Sequence, residues 1–230
     1  MSQSLAHYPK PSVTVDCVIF GYAEGQLSIL LLQRTEAPFA GSWTLPGGFL
    51  LLDESCEQAA KRVLSTKTAI NDVFLEQLFT FDQPDRDPRG RVLSVAYYAL
   101  VNSEHYAIAA DKTASDVAWW PWDQLPALGF DHAAIIEKAI GRLRSKVLWQ
   151  PIGFELLTPP FTMPELQSLY ECILNTTFDR RNFHKRITGL GILQHVGVRR
   201  ANERRRPADL FVFDEGQYQQ LIQNGLSFKI

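Results

Sequence analysis

With 230 residues, 46% hydrophobic and 11% aromatic, the chain is long enough for one large domain or two unequal ones, and its apolar content excludes a disordered protein. Its formal charge of −2 hides a polarity: residues 179–206 carry nine Lys/Arg against two Asp/Glu, a net +7, and everything else sums to −9. A weakly acidic protein with one concentrated basic block is a candidate binder of phosphates through that block.

Cys17, Cys56 and Cys172 are odd in number and lack C-x-x-C spacing, which argues against a disulfide framework or a zinc site. No apolar run reaches signal-peptide or membrane-spanning length, so the expectation is a cytoplasmic protein without membrane contact.

In chain order, residues 13–22 and 27–32 read as β-branched and aliphatic strands joined across Ala23-Glu24-Gly25. Pro46-Gly47-Gly48 breaks the pattern. Ser55 with Gln58 fits a capping box, and Cys56, Ala59, Ala60, Val63 and Leu64 form an apolar stripe at helical spacing. Further strands are predicted at 73–81, 92–101 and 117–120, with a turn-rich charged loop at 82–91. Asp131 is the expected N-cap of a helix reaching about Val147.

The proline-bearing stretch 148–161 marks the predicted boundary between domains 1–150 and 151–230. Beyond it, Thr162-Met-Pro-Glu165 is a capping box, followed by Leu166, Leu169, Tyr170 and Ile173 at helical spacing. Asp179 is placed to cap a second helix in which Phe183, Ile187 and Leu190 form the buried stripe. Gly189 and Gly191 end it, and two strand-like runs, 192–198 and 210–213, flank an arginine-rich tip. Helix, turn, basic helix and hairpin is the order of a winged helix.

Gly48, Glu54, Arg62 and Leu64 fall in register with the Nudix hydrolase signature, G-x5-E-x7-R-E-U-x-E-E-x-G-U with U a bulky aliphatic, which ends here at Ile70. The resemblance implies a Nudix α/β/α sandwich with a mixed sheet, and with the winged helix an α+β protein. Where the family's enzymes place glutamates this chain has Val63, Thr66 and Lys67, and the late glycine is Ala69. Those glutamates hold the Mg²⁺ that bridges a diphosphate, since a hard cation needs several carboxylate oxygens. Gly48, Glu54 and Arg62 then read either as a retained frame, with Arg62 paired to Glu54, or as part of a binding pocket without chemistry. No catalytic residue, metal or cofactor is expected.

A metal-poor Nudix domain followed by a winged helix resembles the NrtR-type transcriptional regulators and their sugar-catabolism sister groups. The resemblance rests on residues 43–49, 85–91, 94–97, 130–132, 161–167 and 179–186 and covers most of the chain. It implies a repressor of NAD-metabolism genes whose Nudix domain senses ADP-ribose, or a pentose such as arabinose in the sugar branch. The predicted effector residues are Arg34, Gly47, Gly48, Glu54, Arg62, Arg86, Arg89, Arg91, Asp131 and His132, with the four arginines Arg34, Arg86, Arg89 and Arg91 offering forked contacts to phosphate. Trp119 and Trp120 are candidates to stack on a base, one of them facing the core.

A recognition helix needs one apolar face and one face of Arg, Lys and Asn. The predicted DNA contacts are Arg180, Arg181, Asn182, His184, Lys185 and Arg186, with Arg199, Arg200, Arg204, Arg205 and Arg206 in the wing. A homodimer would present two such helices to a palindromic duplex operator with half-sites about 34 to 36 Å apart. Two other readings stand beside this one: a hydrolase of ADP-ribose or sugar nucleotides using Asp85, Asp87 or Glu104, and an RNA-binding or scaffold protein.

Overall fold

The computed structural model describes residues 8–71, 73, 75–106, 108, 114–199 and 207–225. Arg200, Arg204, Arg205 and Arg206 lie outside them.

Strands β1 (Ser12–Ala23) and β2 (Gln26–Arg34) form a hairpin, followed by the short β3 (Trp43–Thr44) and β4 (Gly47–Phe49). Helix α1 (Cys56–Thr68) precedes β5 (Glu76–Phe81), β6 (Val92–Asn102) and β7 (Ala114–Pro121), and then comes α2 (His132–Val147). The seven strands form one mixed sheet in which β1 runs parallel to β6 and the other pairings are antiparallel.

Both sheet faces are covered, which is why β1 reads as a near-continuous apolar run without polar alternation from Cys17 to Phe20. Val15, Cys17 and Ile19 pack with Ala59, Ala60, Val63 and Leu64 of α1, while Val18, Phe20 and Tyr22 pack with Ile135, Ile136, Ala139 and Leu143 of α2. Trp119 and Trp120 divide between the same two layers, Trp120 meeting Trp43 edge-on at 5.2 Å. The expectation that one tryptophan faces the core understates the packing, because the sheet has a core on each side.

Ser55 caps α1 through the reciprocal bonds with Gln58 that its sequence predicts. Asp131 occupies the N-cap position of α2 but makes no side-chain cap bond, its carboxylate being held by Arg86 instead.

The C-terminal part holds β8 (Phe161–Thr162), α3 (Met163–Leu174), α4 (Arg180–Gly189), β9 (Leu193–Arg199), β10 (Ala208–Phe213) and α5 (Glu215–Gln223). Thr162 with Glu165 caps α3 as a capping box, and Asp179 accepts the Asn182 N–H to cap α4. The three strands pair antiparallel in the order β8, β10, β9. Leu166, Leu169, Tyr170, Phe183, Ile187 and Phe211 belong to the same apolar cluster as Phe20, Leu31 and the inner face of α2. One continuous core therefore runs from the large sheet into the helix pair α3 and α4.

Candidate functional site

Asp16 interrupts the apolar run of β1 and is buried, so its charge needs partners. Ser94 on the neighbouring β6 donates its hydroxyl to Asp16 Oδ2 at 2.5 Å, and Arg86 Nη2 lies 3.5 Å from the same oxygen. Arg86 donates Nε and Nη2 to the two Asp131 carboxylate oxygens at 2.8 and 2.6 Å, so a buried guanidinium joins β1 to the start of α2.

His132 Nδ1 accepts the Leu45 N–H at 2.9 Å, which places the ring proton on Nε2, 3.5 Å from Asp16 Oδ1. Burial pushes the His132 imidazole below its ordinary pKa against the opposing pull of Asp16, favouring the neutral ring. Gly47 sits directly across β1 from Asp16, where a Cβ would come within 2.1 Å of Asp16 Oδ1, so only glycine fits.

Above this floor opens a cavity of about 210 Å³ whose wall includes Arg34, Gly48, Phe49, Lys67, Arg89 and Phe130. Asp87 holds Arg89 by a forked pair of 3.0 and 2.7 Å, and the Arg89 guanidinium lies 5.3 Å from the Phe49 ring and 5.6 Å from that of Phe130. Arg34 donates Nε to the Pro38 carbonyl at 3.0 Å and lies 5.3 Å from the Phe130 ring on its own account. Burial, and then the charge of Arg89, make the charged state of Arg34 costlier than usual. An anion entering between the two guanidiniums relieves that cost, and the aromatic rings offer faces to a sugar or base.

Of the predicted effector residues, Arg34, Gly47, Gly48, Arg86, Arg89 and His132 line this cavity, and Asp131 stands behind Arg86. Arg91 donates to the Asp82 carbonyl at 2.6 Å outside the cavity wall. Glu54 and Arg62 form their own pair, with contacts of 2.5 and 2.8 Å, and Glu54 also accepts the Leu51 N–H. This pair holds the Glu54 carboxyl down at about 2. Arg62 further donates to the Phe49 carbonyl at 3.0 Å, so the two residues hold the 49–54 loop against α1 rather than line the cavity.

Sequence reasoning missed Asp16, Phe49, Lys67, Ser94 and Phe130 as site residues. Asp16 had a readable signal, a carboxylate inside a strand otherwise apolar on both faces. Phe130, at φ +56° in the turn into α2, carried no chemical signal of its own beyond the resemblance over residues 130–132.

On α4, Phe183 and Ile187 are buried while Arg180, Arg181, Asn182, His184, Lys185 and Arg186 are all exposed. Met163, Pro164 and Gln167 of α3 share a shallow cleft with Arg180, Arg181 and His184. Arg199 ends β9, at the base of the wing.

Residues 10–139 match the NUDIX domain family and residues 153–213 the NrtR DNA-binding winged helix domain. The chain is 35% identical over 210 residues to the ADPR responsive transcriptional repressor NtrR of Acinetobacter baylyi, a match covering 90% of this chain and 83% of that protein. It superposes on the crystal structure of Shewanella oneidensis NrtR complexed with a 27mer DNA with a TM-score of 0.77 and 39% identity, covering 90% of this chain and 95% of that one. The NUDIX domain of the Shewanella protein complexed with ADP ribose matches 61% of this chain and 94% of its own, with a TM-score of 0.56 and 41% identity. The chain thus belongs to the Nudix family and, within it, to the NrtR type, in which a NUDIX domain is followed by the NrtR DNA-binding winged helix domain.

Proposed function

We propose that the chain is a transcriptional repressor that grips duplex DNA with the exposed face of α4 and the wing, and that ADP-ribose or a related NAD metabolite in the Asp16–Arg34–Arg89 cavity controls this grip. It acts as a homodimer on a palindromic operator of NAD-metabolism genes in the cytoplasm, and its Nudix domain senses without hydrolysing. Residues 1–150 are the sensor and 151–230 the reader.

The observation that carries the reading is the position of α2. Its first turn is tied to the cavity floor through Asp131 and His132, and Arg144 near its far end donates to the Ile173 carbonyl of α3 at 2.9 Å. A ligand that shifts Arg86 or Arg89 therefore bears on the helix that supports the DNA reader. A coupling of about 1 to 3 kcal/mol between the two sites gives a useful response.

The relatives named for ADP-ribose favour that effector over a pentose, and a neutral sugar makes little use of the guanidiniums in the wall. The test is to titrate the protein onto duplex fragments from upstream of its own gene and of NAD-biosynthesis genes, with and without ADP-ribose and arabinose. Operator binding that responds to ADP-ribose and not to arabinose supports the proposal. A response to arabinose alone moves the chain to the sugar branch.

A further inference from the structure

The Nudix fold implies a Mg²⁺ ion held by carboxylates of α1, and the residues of this chain do not fit one. Val63 is fully buried and packs under Gly48, where an added Cβ would come within 2.9 Å of Val63 Cγ2. Thr66 donates its hydroxyl to the Arg62 carbonyl at 2.8 Å. Glu54, the motif's retained carboxylate, is occupied by both arms of Arg62 and by the Leu51 N–H. Among the described residues, no group of three or more His, Cys, Asp or Glu side chains is placed to hold a metal ion.

Lys67, in contrast, lines the cavity. The wall then contains the four cations Arg34, Lys67, Arg86 and Arg89 against the three carboxylates Asp16, Glu36 and Asp87. Asp16 is bonded to Ser94 and Arg86, and Asp87 to Arg89. A doubly charged diphosphate meets cations on this surface, whereas its magnesium complex would bring a dication towards an ammonium and guanidiniums.

We infer that Lys67 is an effector-binding residue whose ammonium, with Arg34 and Arg89, neutralises the ligand's diphosphate in place of a metal ion, so that effector binding does not depend on divalent cations. The inference rests on the effector reading above and narrows it to ligands that carry a diphosphate. An ammonium is a compact point charge suited to one phosphate oxygen, while the two guanidiniums offer forked contacts to others.

Calorimetric titration of ADP-ribose into the full chain tests this, once with EDTA and once with excess Mg²⁺, for the wild type and for the Lys67→Met and Lys67→Arg variants. The expected result is a wild-type Kd equal within about twofold under both conditions, a loss of about tenfold or more in Lys67→Met, and near-wild-type binding in Lys67→Arg, as removal and retention of a charge-assisted contact require. Binding that tightens about tenfold with Mg²⁺, or Lys67→Met binding as tightly as wild type, overturns the inference and leaves the effector reading intact. Lys67→Met that melts lower yet binds normally assigns Lys67 to the C-terminal end of α1 and likewise overturns it. No binding of ADP-ribose by the wild type under either condition removes the effector reading and this inference together.

Discussion

Arg86 and Asp131, 45 residues apart, are joined by two parallel bonds of 2.8 and 2.6 Å, and this fork fastens the 82–91 loop to the first turn of α2. The Arg86 side chain is only 3% exposed, and it also lies 3.5 Å from the buried Asp16. Removing the guanidinium strands the buried Asp16 and takes the fork from the partly exposed Asp131. Arg86→Ala is expected to cost about 3 kcal/mol, the scale for breaking a buried ion pair, and to lower the melting temperature by about 6 to 12 °C. Thermal denaturation followed by circular dichroism checks it, and a drop under 2 °C would show that the fork carries little of the fold.

His132 gives the fold a pH dependence. Burial lowers its pKa below the ordinary 6.5, so the folded state prefers the neutral ring while the unfolded chain takes up a proton. The stability this confers is full above about pH 6.5 and is lost as the pH falls from there towards the depressed folded pKa. Asp16 and Asp131 oppose the shift, and Arg86 and Arg34 add to it. Between pH 7 and pH 5 the wild type should therefore lose melting temperature more steeply than His132→Gln. Parallel slopes for the two proteins would contradict the neutral assignment.

The Glu54 and Arg62 pair is a brace for the 49–54 loop. Glu54→Gln should lower the melting temperature at pH 7, and because the carboxyl is held down at about 2 against an ordinary value of 4.5, the difference from wild type should be full above about pH 4.5 and shrink as the pH falls from there towards 2. It should leave ADP-ribose affinity within about threefold. Neither protein is expected to release phosphate from ADP-ribose in Mg²⁺ when the reaction is coupled to a phosphatase. Mg²⁺-dependent turnover by the wild type that Glu54→Gln abolishes would make Glu54 catalytic and the protein an enzyme.

On the DNA side, Arg181→Ala and Lys185→Ala remove exposed charges from α4 without touching Phe183 or Ile187. Each should weaken operator binding about tenfold, and a residue that meets only phosphate should also reduce the salt slope by about one. Asp179→Ala tests the scaffold instead. Loss of the cap to the Asn182 N–H, held at 2.9 Å, should cost about 1 kcal/mol and lower melting temperature and affinity together.

The capping boxes at Ser55 and Thr162 and the cap at Asp179 were legible because they depend on residues three apart. The apolar stripes of α1, α2 and α3 were legible for the same local reason. Asp131 takes the N-cap position its sequence predicts, but its side chain bonds Arg86, which is brought to it only by tertiary folding, instead of the helix. The strands β3, β4 and β8 were missed, since two or three residues carry no periodicity, and α5 was missed because its Gln-rich face gives a weak apolar stripe. In the candidate site, the arginines announced themselves by charge. The charge pattern gave no such sign of Phe49 and Phe130, because their nearness to Arg89 joins the end of β4 to the turn before α2, which are far apart in sequence.

The proposed energetic coupling between the ligand cavity and the DNA-reading helix through α2 is reciprocal by linkage. The decisive measurement is a closed cycle: operator affinity with and without saturating ADP-ribose, and ADP-ribose affinity with and without operator. The same factor is expected in both directions, at least about fivefold. ADP-ribose that binds the protein yet leaves operator affinity unchanged would contradict it.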